Sequence, residues 1–413
     1  MLAHCAWHQI KTPGTVERMD RHGSLTGHQS SGHQLVTRRH ETQNPLKKSQ
    51  LEKTMDRFGI KSLSRGQGMP LALLAVVAMA FAPALHAQVT ATSPYTVSVF
   101  AQGPANASQP DSIVQWRDSV IVGFENHVAK DGTDGKSSTI VEFSLGGAVK
   151  RTFTVPGHND GLRVVNGDFL WALQNEDANP NLVVIDLRSG RQTQYQFAPT
   201  PHGGGYDDIV VRDGEVYFTA SNPNLDANGV NDFPALVKVT LAGASVILTP
   251  VLSGNAPATN ITTGKVVNLN LTDPDSMTLD PRGNIVFVSQ ADSVLVFVHN
   301  PLKANQAVGV LPLTSSATGP GGALITIDDT SFAPSGASAL LVTDISTGTI
   351  YRIERPIFGF DPGQPYSASD TAGIVGTLNL DSGVITPIVS GFGSARGLLF
   401  LSKDGAGEGR GDE

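Results

Sequence analysis

Asp275-Ser-Met-Thr-Leu-Asp-Pro-Arg-Gly-Asn-Ile-Val-Phe-Val-Ser289 contains a polar opening, a short apolar strand, a turn and a second apolar strand. The same order recurs along the chain. Its openings are Asp111-Ser-Ile-Val, Asp160-Gly-Leu-Arg-Val-Val, Asp207-Asp-Ile-Val-Val, Asp275-Ser-Met-Thr-Leu, Asp328-Asp-Thr-Ser-Phe and Arg396-Gly-Leu-Leu-Phe-Leu. Most are followed by turn residues and a second strand, as at Asp213-Gly214 before Val216-Tyr-Phe218. Third strands end in turns such as Asp186-Leu-Arg-Ser-Gly190 and Asp381-Ser-Gly383.

Repeats of about 40 to 50 residues, each with four short strands, are the signature of propeller blades. No long segment between Tyr95 and Ser402 has a 3.6-residue apolar period. The expected fold is therefore all-β, a single propeller of about six four-stranded blades spanning residues 88–403. The sixth opening has only Gly397-Leu-Leu-Phe-Leu401 before a polar tail, residues 404–413, so ring closure is expected to borrow Tyr95 to Phe100. Residues 354–373, with Pro356, Pro362, Gly363 and Pro365, read as an insertion in the fifth blade.

Ahead of these repeats, the run Leu71 to Ala82 is apolar, preceded by Arg57, Lys61 and Arg65 and followed by Pro83 and small residues up to Ala87. It is shorter than the roughly 20 residues that cross a bilayer, so residues 55–87 read as a signal peptide cleaved near Ala87, with no stable membrane span in the mature chain. The expected location is the periplasm or the exterior. Residues 1–54 are rich in His and Arg and read as a disordered leader or a start assigned too early, with translation beginning at Met55. The one cysteine, Cys5, lies in that stretch, so the mature domain has no disulfide.

The first 87 residues hold 11 Lys and Arg against 5 Asp and Glu, which leaves 18 against 32 and a net charge of −14 from Gln88 onward. That balance excludes nucleic acid as a partner and favours cations or neutral ligands. P-loop, CxxC, HExxH and G-x-S-x-G motifs do not occur there, which disfavours nucleotide enzymes, zinc proteases of that class and serine hydrolases.

The blade pattern of residues 275–289, together with Phe332-Ala-Pro-Ser-Gly and Leu340-Leu-Val-Thr-Asp344, resembles the NHL-repeat and senescence-marker/gluconolactonase-like propellers. That resemblance implies a divalent metal, often calcium, at the channel mouth and an acid serving as general base. Pro274-Asp275-Ser-Met277 matches the family stretch that carries that acid, and Asn159-Asp160-Gly161 matches more loosely. The E-G-P-x-W opening of the family is absent, with Pro110-Asp111-Ser-Ile in its place.

In a propeller the opening residues of the inner strands converge on one mouth. The candidate metal ligands are therefore Asp111, Asn159, Asp160, Asp207, Asp275 and Asp328, with Asp208, Asp273 and Asp329 nearby and Arg396 as the cation. Calcium or another divalent ion, with six to eight oxygen ligands in the case of calcium, would relieve their repulsion; no organic cofactor is expected. Asp275, His158 and His202 are the candidate catalytic groups, since an imidazole beside carboxylates can act as a base near neutral pH or ligate a transition metal. The opposing expectation for each Asp is an ordinary turn acceptor. A second layer is expected from Glu125-Asn126, Asn175-Glu176, Ser221-Asn222, Ser289-Gln290 and Thr343-Asp344 at the ends of second strands. The expected function is binding of a cation and an unidentified small-molecule or peptide ligand at this mouth, or alternatively a metal-dependent hydrolase (lactonase- or esterase-like) or lyase.

Overall fold

Each second strand is apolar on both faces because neighbouring blades cover both. In Ser119–Phe124, Val120, Val122 and Phe124 pack toward one neighbouring blade while Ile121 packs toward the other. A computed structural model describes residues 88–317 and 322–402. The leader, the signal-peptide segment and the polar tail lie outside the described residues. By contacts the chain falls into two units, 1–82 and 83–413, and all described residues lie in the second.

The chain is a six-bladed β-propeller, with no helix among the described residues. The inner strands are Pro110–Trp116, Asn159–Val165, Tyr206–Arg212, Pro274–Leu279, Thr330–Phe332 and Ala395–Leu401, one for each opening in the sequence. Blades 1 to 4 each continue outward in chain order through three further antiparallel strands. The outer strands of blades 2 and 3 also pair in parallel, Gln196 opposite Ser245. Six hydrophobic layers fill the six spaces between blades. The last of them closes the ring, joining Ile113, Val120 and Phe143 of blade 1 to Leu341, Ile350 and Leu399 of blade 6.

Blades 5 and 6 correct the expected connectivity. Strand Ala339–Asp344 does not pair with the inner strand of blade 5; it pairs with Ala395–Leu401, and Thr349–Glu354 pairs beside it. The chain then returns to blade 5 for Pro365–Ser369, Ile374–Leu378 and Val384–Ser390. Residues 354–373 are thus the crossover between two interleaved blades plus the second strand of blade 5, and not an insertion. Thr96–Gln102 supplies the outer strand of blade 6, as ring closure requires. Three segments far apart in the chain therefore build one blade.

Every opening carries the same irregularity. At Asp111-Ser112, Asp160-Gly161, Asp207-Asp208, Asp275-Ser276 and Arg396-Gly397, two inner-strand residues oppose one residue of the second strand. Asp328 and Asp329 bracket Ala368 in the same manner, through Asp328 N–H to Ala368 O and Ala368 N–H to Asp329 O, both 2.9 Å. A β-bulge re-aims side chains, here at a shared depth around the axis.

At five of the six openings the second bulge residue clasps the next blade. The hydroxyl of Ser112 donates to the Asp160 carbonyl. Asp208 Oδ2 accepts from Met277 N–H at 2.7 Å, and Asp329 Oδ2 accepts from Leu398 N–H at 2.7 Å. Gly161 lies so close to blade 3 that a Cβ there would strike the Asp207 carbonyl and the Asp208 backbone. Gly161→Ala is accordingly expected to destabilise the protein by about 1–3 kcal/mol, the usual range for overpacking. Denaturant unfolding checks this; wild-type stability in the variant would show that the blades do not seat through their bulges.

Candidate functional site

The bulges place the first opening residues on the axis, and the mouth divides into two electrostatically different halves. Over blades 4 to 6 and the start of blade 1, Arg396 Nη1 lies 3.0 Å from Asp328 Oδ1 and 3.5 Å from Asp111 Oδ2. Gln290 Nε2 donates to Asp328 at 3.0 Å. Asp328 chiefly, then Asp111, holds the guanidinium in its charged form. Asp275 stands partly buried in the same ring, where burial first and then Asp328 and Asp207 push its carboxyl well above the usual range.

The other half, over blades 1 to 3, gathers Glu125, His158, Asp160, Glu176 and Asp207, all buried. Side-chain donor atoms of Glu125, His158 and Asp160 lie within 4.8 Å of one another, and so do those of Asp160, Glu176 and Asp207. Asp160 belongs to both triads. The two glutamates flank Asn126 and Asn175, whose φ values of 58° and 68° lie in the left-handed region that asparagine tolerates at the tops of the second strands.

His158 is oriented by the backbone. Its N–H donates to Asn175 Oδ1 at 2.9 Å, and its ring Nδ1 lies 3.0 Å from the Val128 carbonyl. A carbonyl only accepts, so Nδ1 bears a proton, and in its neutral form the ring presents the Nε2 lone pair. Nε2 has no hydrogen-bond partner in a residue 2% exposed. It faces Glu176 Oε1 at 3.5 Å and Glu125 Oε1 at 3.8 Å, beyond hydrogen-bond length. A lone pair beside carboxylates calls for a cation or a proton between them. This is also how a metal-ligating histidine is commonly held, with the far nitrogen fixed by a carbonyl.

Burial dominates the carboxyl groups. It raises Glu125 to about 10, with help from the charge and hydrogen bond of Asp111. Asp160 rises through burial and then the charges of Glu176 and Asp207; Asp207 rises through burial, Glu176 and Asp273. Glu176 is the exception. Burial raises it, but a protonated His158 together with Lys130 more than offsets that and brings it down to about 2. Lys130 Nζ lies 2.5 Å from Glu176 Oε1, and although burial alone lowers the lysine, Glu176 leaves it raised overall.

Several other expected residues make local structural bonds. Asn159 donates through Nδ2 to Leu173 O at 2.9 Å, while its buried Oδ1, the atom a metal would use, has no hydrogen-bond partner. His202 Nε2 donates to Gly205 O at 2.9 Å and the ring packs edge-on to Tyr206, with burial lowering its pKa. Asp344 accepts from the Gly393 and Ser394 amides, each at 3.0 Å. Asp131, Asp134 and Asp226 accept amides of their own turns. From the second layer, Glu125 and Glu176 enter the cluster, Gln290 reaches Asp328, and Ser221 Oγ donates to Glu176 O at 2.9 Å. Lys130 carried no sequence signal, since it sits in a turn-rich loop between two strands. A cavity of about 1360 Å³ lies along the axis from Asp111 toward Arg117, Arg212 and Arg282 at the far face.

The raised carboxyls set a pH dependence. For Glu125 the stability gained by staying protonated is complete below about 4.5 and is lost as pH climbs through that value to about 10. Asp160, Asp207 and Asp275 act in the same direction. Glu176 acts oppositely, losing stability only as pH falls from 4.5 toward 2. Chelator-treated protein is therefore expected to melt at steadily lower temperature from pH 5 to pH 9. A melting temperature that rises across that window would contradict the buried, protonated cluster.

No protein-family model matches the sequence, and no curated protein matches it. Among solved structures, several show a distant likeness. A streptogramin B lyase is 15% identical, covering 76% of this chain and 89% of its own, with a TM-score of 0.42. Virginiamycin B lyase from Staphylococcus aureus is 10% identical over 70% of this chain and 86% of its own, TM-score 0.42. The periplasmic gluconolactonase of Pseudomonas aeruginosa is 12% identical over 71% of this chain and 88% of its own, TM-score 0.38. The fold itself rests on the six inner strands, the strand order and the closed series of hydrophobic layers.

Proposed function

We propose that this chain is an exported propeller that binds a divalent metal ion in the His158 half of its mouth and presents it to a small-molecule or peptide ligand. The observation that carries the reading is the buried, unpartnered Nε2 of His158, whose tautomer is fixed by Val128 and which points among Glu125, Asp160 and Glu176. One imidazole with several carboxylates fits Mn2+, Zn2+ or Fe2+ better than Ca2+, which takes oxygen ligands. Glu125, His158 and Asp160 would hold the ion, which would supply Lewis acidity at the mouth. Export is supported by the apolar run Leu71 to Ala82 ahead of Ala87.

Binding must displace protons from the raised carboxyls, so affinity should climb with pH. Chelator-stripped protein is expected to gain melting temperature with millimolar Mn2+, more at pH 8 than at pH 5.5. An ion at a hundred times its Kd adds about 2.7 kcal/mol. His158→Gln should abolish the gain and Ca2+ should give a smaller one. No change in the melting temperature of the intact protein with any divalent ion would end this reading.

A metal-dependent hydrolase or lyase is the second reading, favoured by Asp275, a raised carboxyl on the same ring that is free to move a proton to or from a metal-bound ligand. Metal-loaded protein should then turn over members of a lactone and ester panel. Asp275→Asn should lose that turnover while keeping the metal-induced thermal shift. A loaded protein inactive on the whole panel favours binding alone.

A further inference from the structure

The second triad, Asp160, Glu176 and Asp207, is served by a cation of the chain itself. Lys130 belongs to the loop between strands Ser119–Phe124 and Ser137–Ser144. Its backbone is fixed, because its carbonyl accepts the Asp177 amide at 3.2 Å. Its side chain is another matter: it is 51% exposed, whereas that of Glu176 is 11% exposed. The ammonium therefore reaches the triad from the solvent side and can leave by the same route without moving the loop.

One ammonium does not satisfy three buried carboxyl groups. Lys130 pairs with Glu176 Oε1, while Asp207 Oδ1 has no hydrogen-bond partner in a residue only 1% exposed. A divalent ion brings twice the charge and takes several oxygens at once, including that orphaned one. Asp160, common to both triads, stands where a carboxylate could bridge two ions. Bridged pairs of this kind lie about 3.5–4 Å apart.

We propose that Asp160, Glu176 and Asp207 form a second cation position, beside the His158 ion and sharing Asp160 with it, whose occupant alternates between the tethered Lys130 ammonium and a second divalent metal. Lys130 is thus a positioning residue that keeps the mouth in a one-metal state until a second ion, at higher concentration, displaces it. The inference rests on the metal reading of the His158 half.

The test uses the mature chain stripped of metal, with Mn2+ alone as the probe. Bound metal is counted by equilibrium dialysis, and spin coupling is read by electron paramagnetic resonance. Wild type is expected to bind one Mn2+ at concentrations where Lys130→Met binds two that are magnetically coupled. The second ion's affinity should increase about tenfold or more, the scale of removing one nearby, partly solvated charge. Lys130→Arg, which keeps the charge, should behave as wild type and excludes a simple loss of folding. Unchanged stoichiometry and second-ion affinity in Lys130→Met, with the first ion still bound, overturns the proposal. Failure of wild type to bind any Mn2+ removes instead the reading beneath it.

Discussion

Carboxyl groups cannot share a buried axis as free charges, and that constraint governs this propeller. The repeated bulge places Asp111, Asp160, Asp207, Asp275 and Asp328 at one depth, and the ends of two second strands add Glu125 and Glu176. Each must be protonated, paired or bound to a cation. The two halves of the mouth answer differently. Arg396 neutralises Asp328 and Asp111 from inside the ring, whereas the His158 half has more carboxyl groups than Lys130 alone can balance.

The same bulge also holds the blades together. Its first residue faces the axis and its second reaches the neighbouring blade, by a side chain at Ser112, Asp208 and Asp329 or by a bare backbone at Gly161 and Gly397. Site and scaffold are thus coupled at a spacing of one residue. In a ring with no disulfide, closed by the interleaving of blades 5 and 6 with the Thr96–Gln102 strand, the clasps and six apolar layers carry the stability.

The openings were legible because the bulge imposes a polar residue followed by a small or polar one before every apolar strand. That rule exposed the blade count, the ring of acids and the second layer containing Glu125 and Glu176. The interleaving of blades 5 and 6 was not legible, for a definite reason. Ala339–Asp344 runs antiparallel to the inner strand in either blade, so its apolar pattern is the same for both partners. Asn159 and His202 sit beside openings, and Asn159 Nδ2 and His202 Nε2 bond to Leu173 and Gly205, a choice made by backbone geometry that spacing does not encode. Lys130 lies in a loop whose composition speaks only of turns, and its role emerges only once Glu176 is brought beneath it.

The central claim is that a cation belongs between His158 Nε2 and the carboxylates facing it. A crystal of residues 88–413 grown at pH 8 with Mn2+, and measured at the manganese edge, tests it most directly. The account predicts an anomalous peak bonded to His158 Nε2 and to Asp160, with the Val128 contact to Nδ1 retained. No peak in that half of the mouth, or an ordered His158 turned away from Glu125 and Glu176, would contradict it.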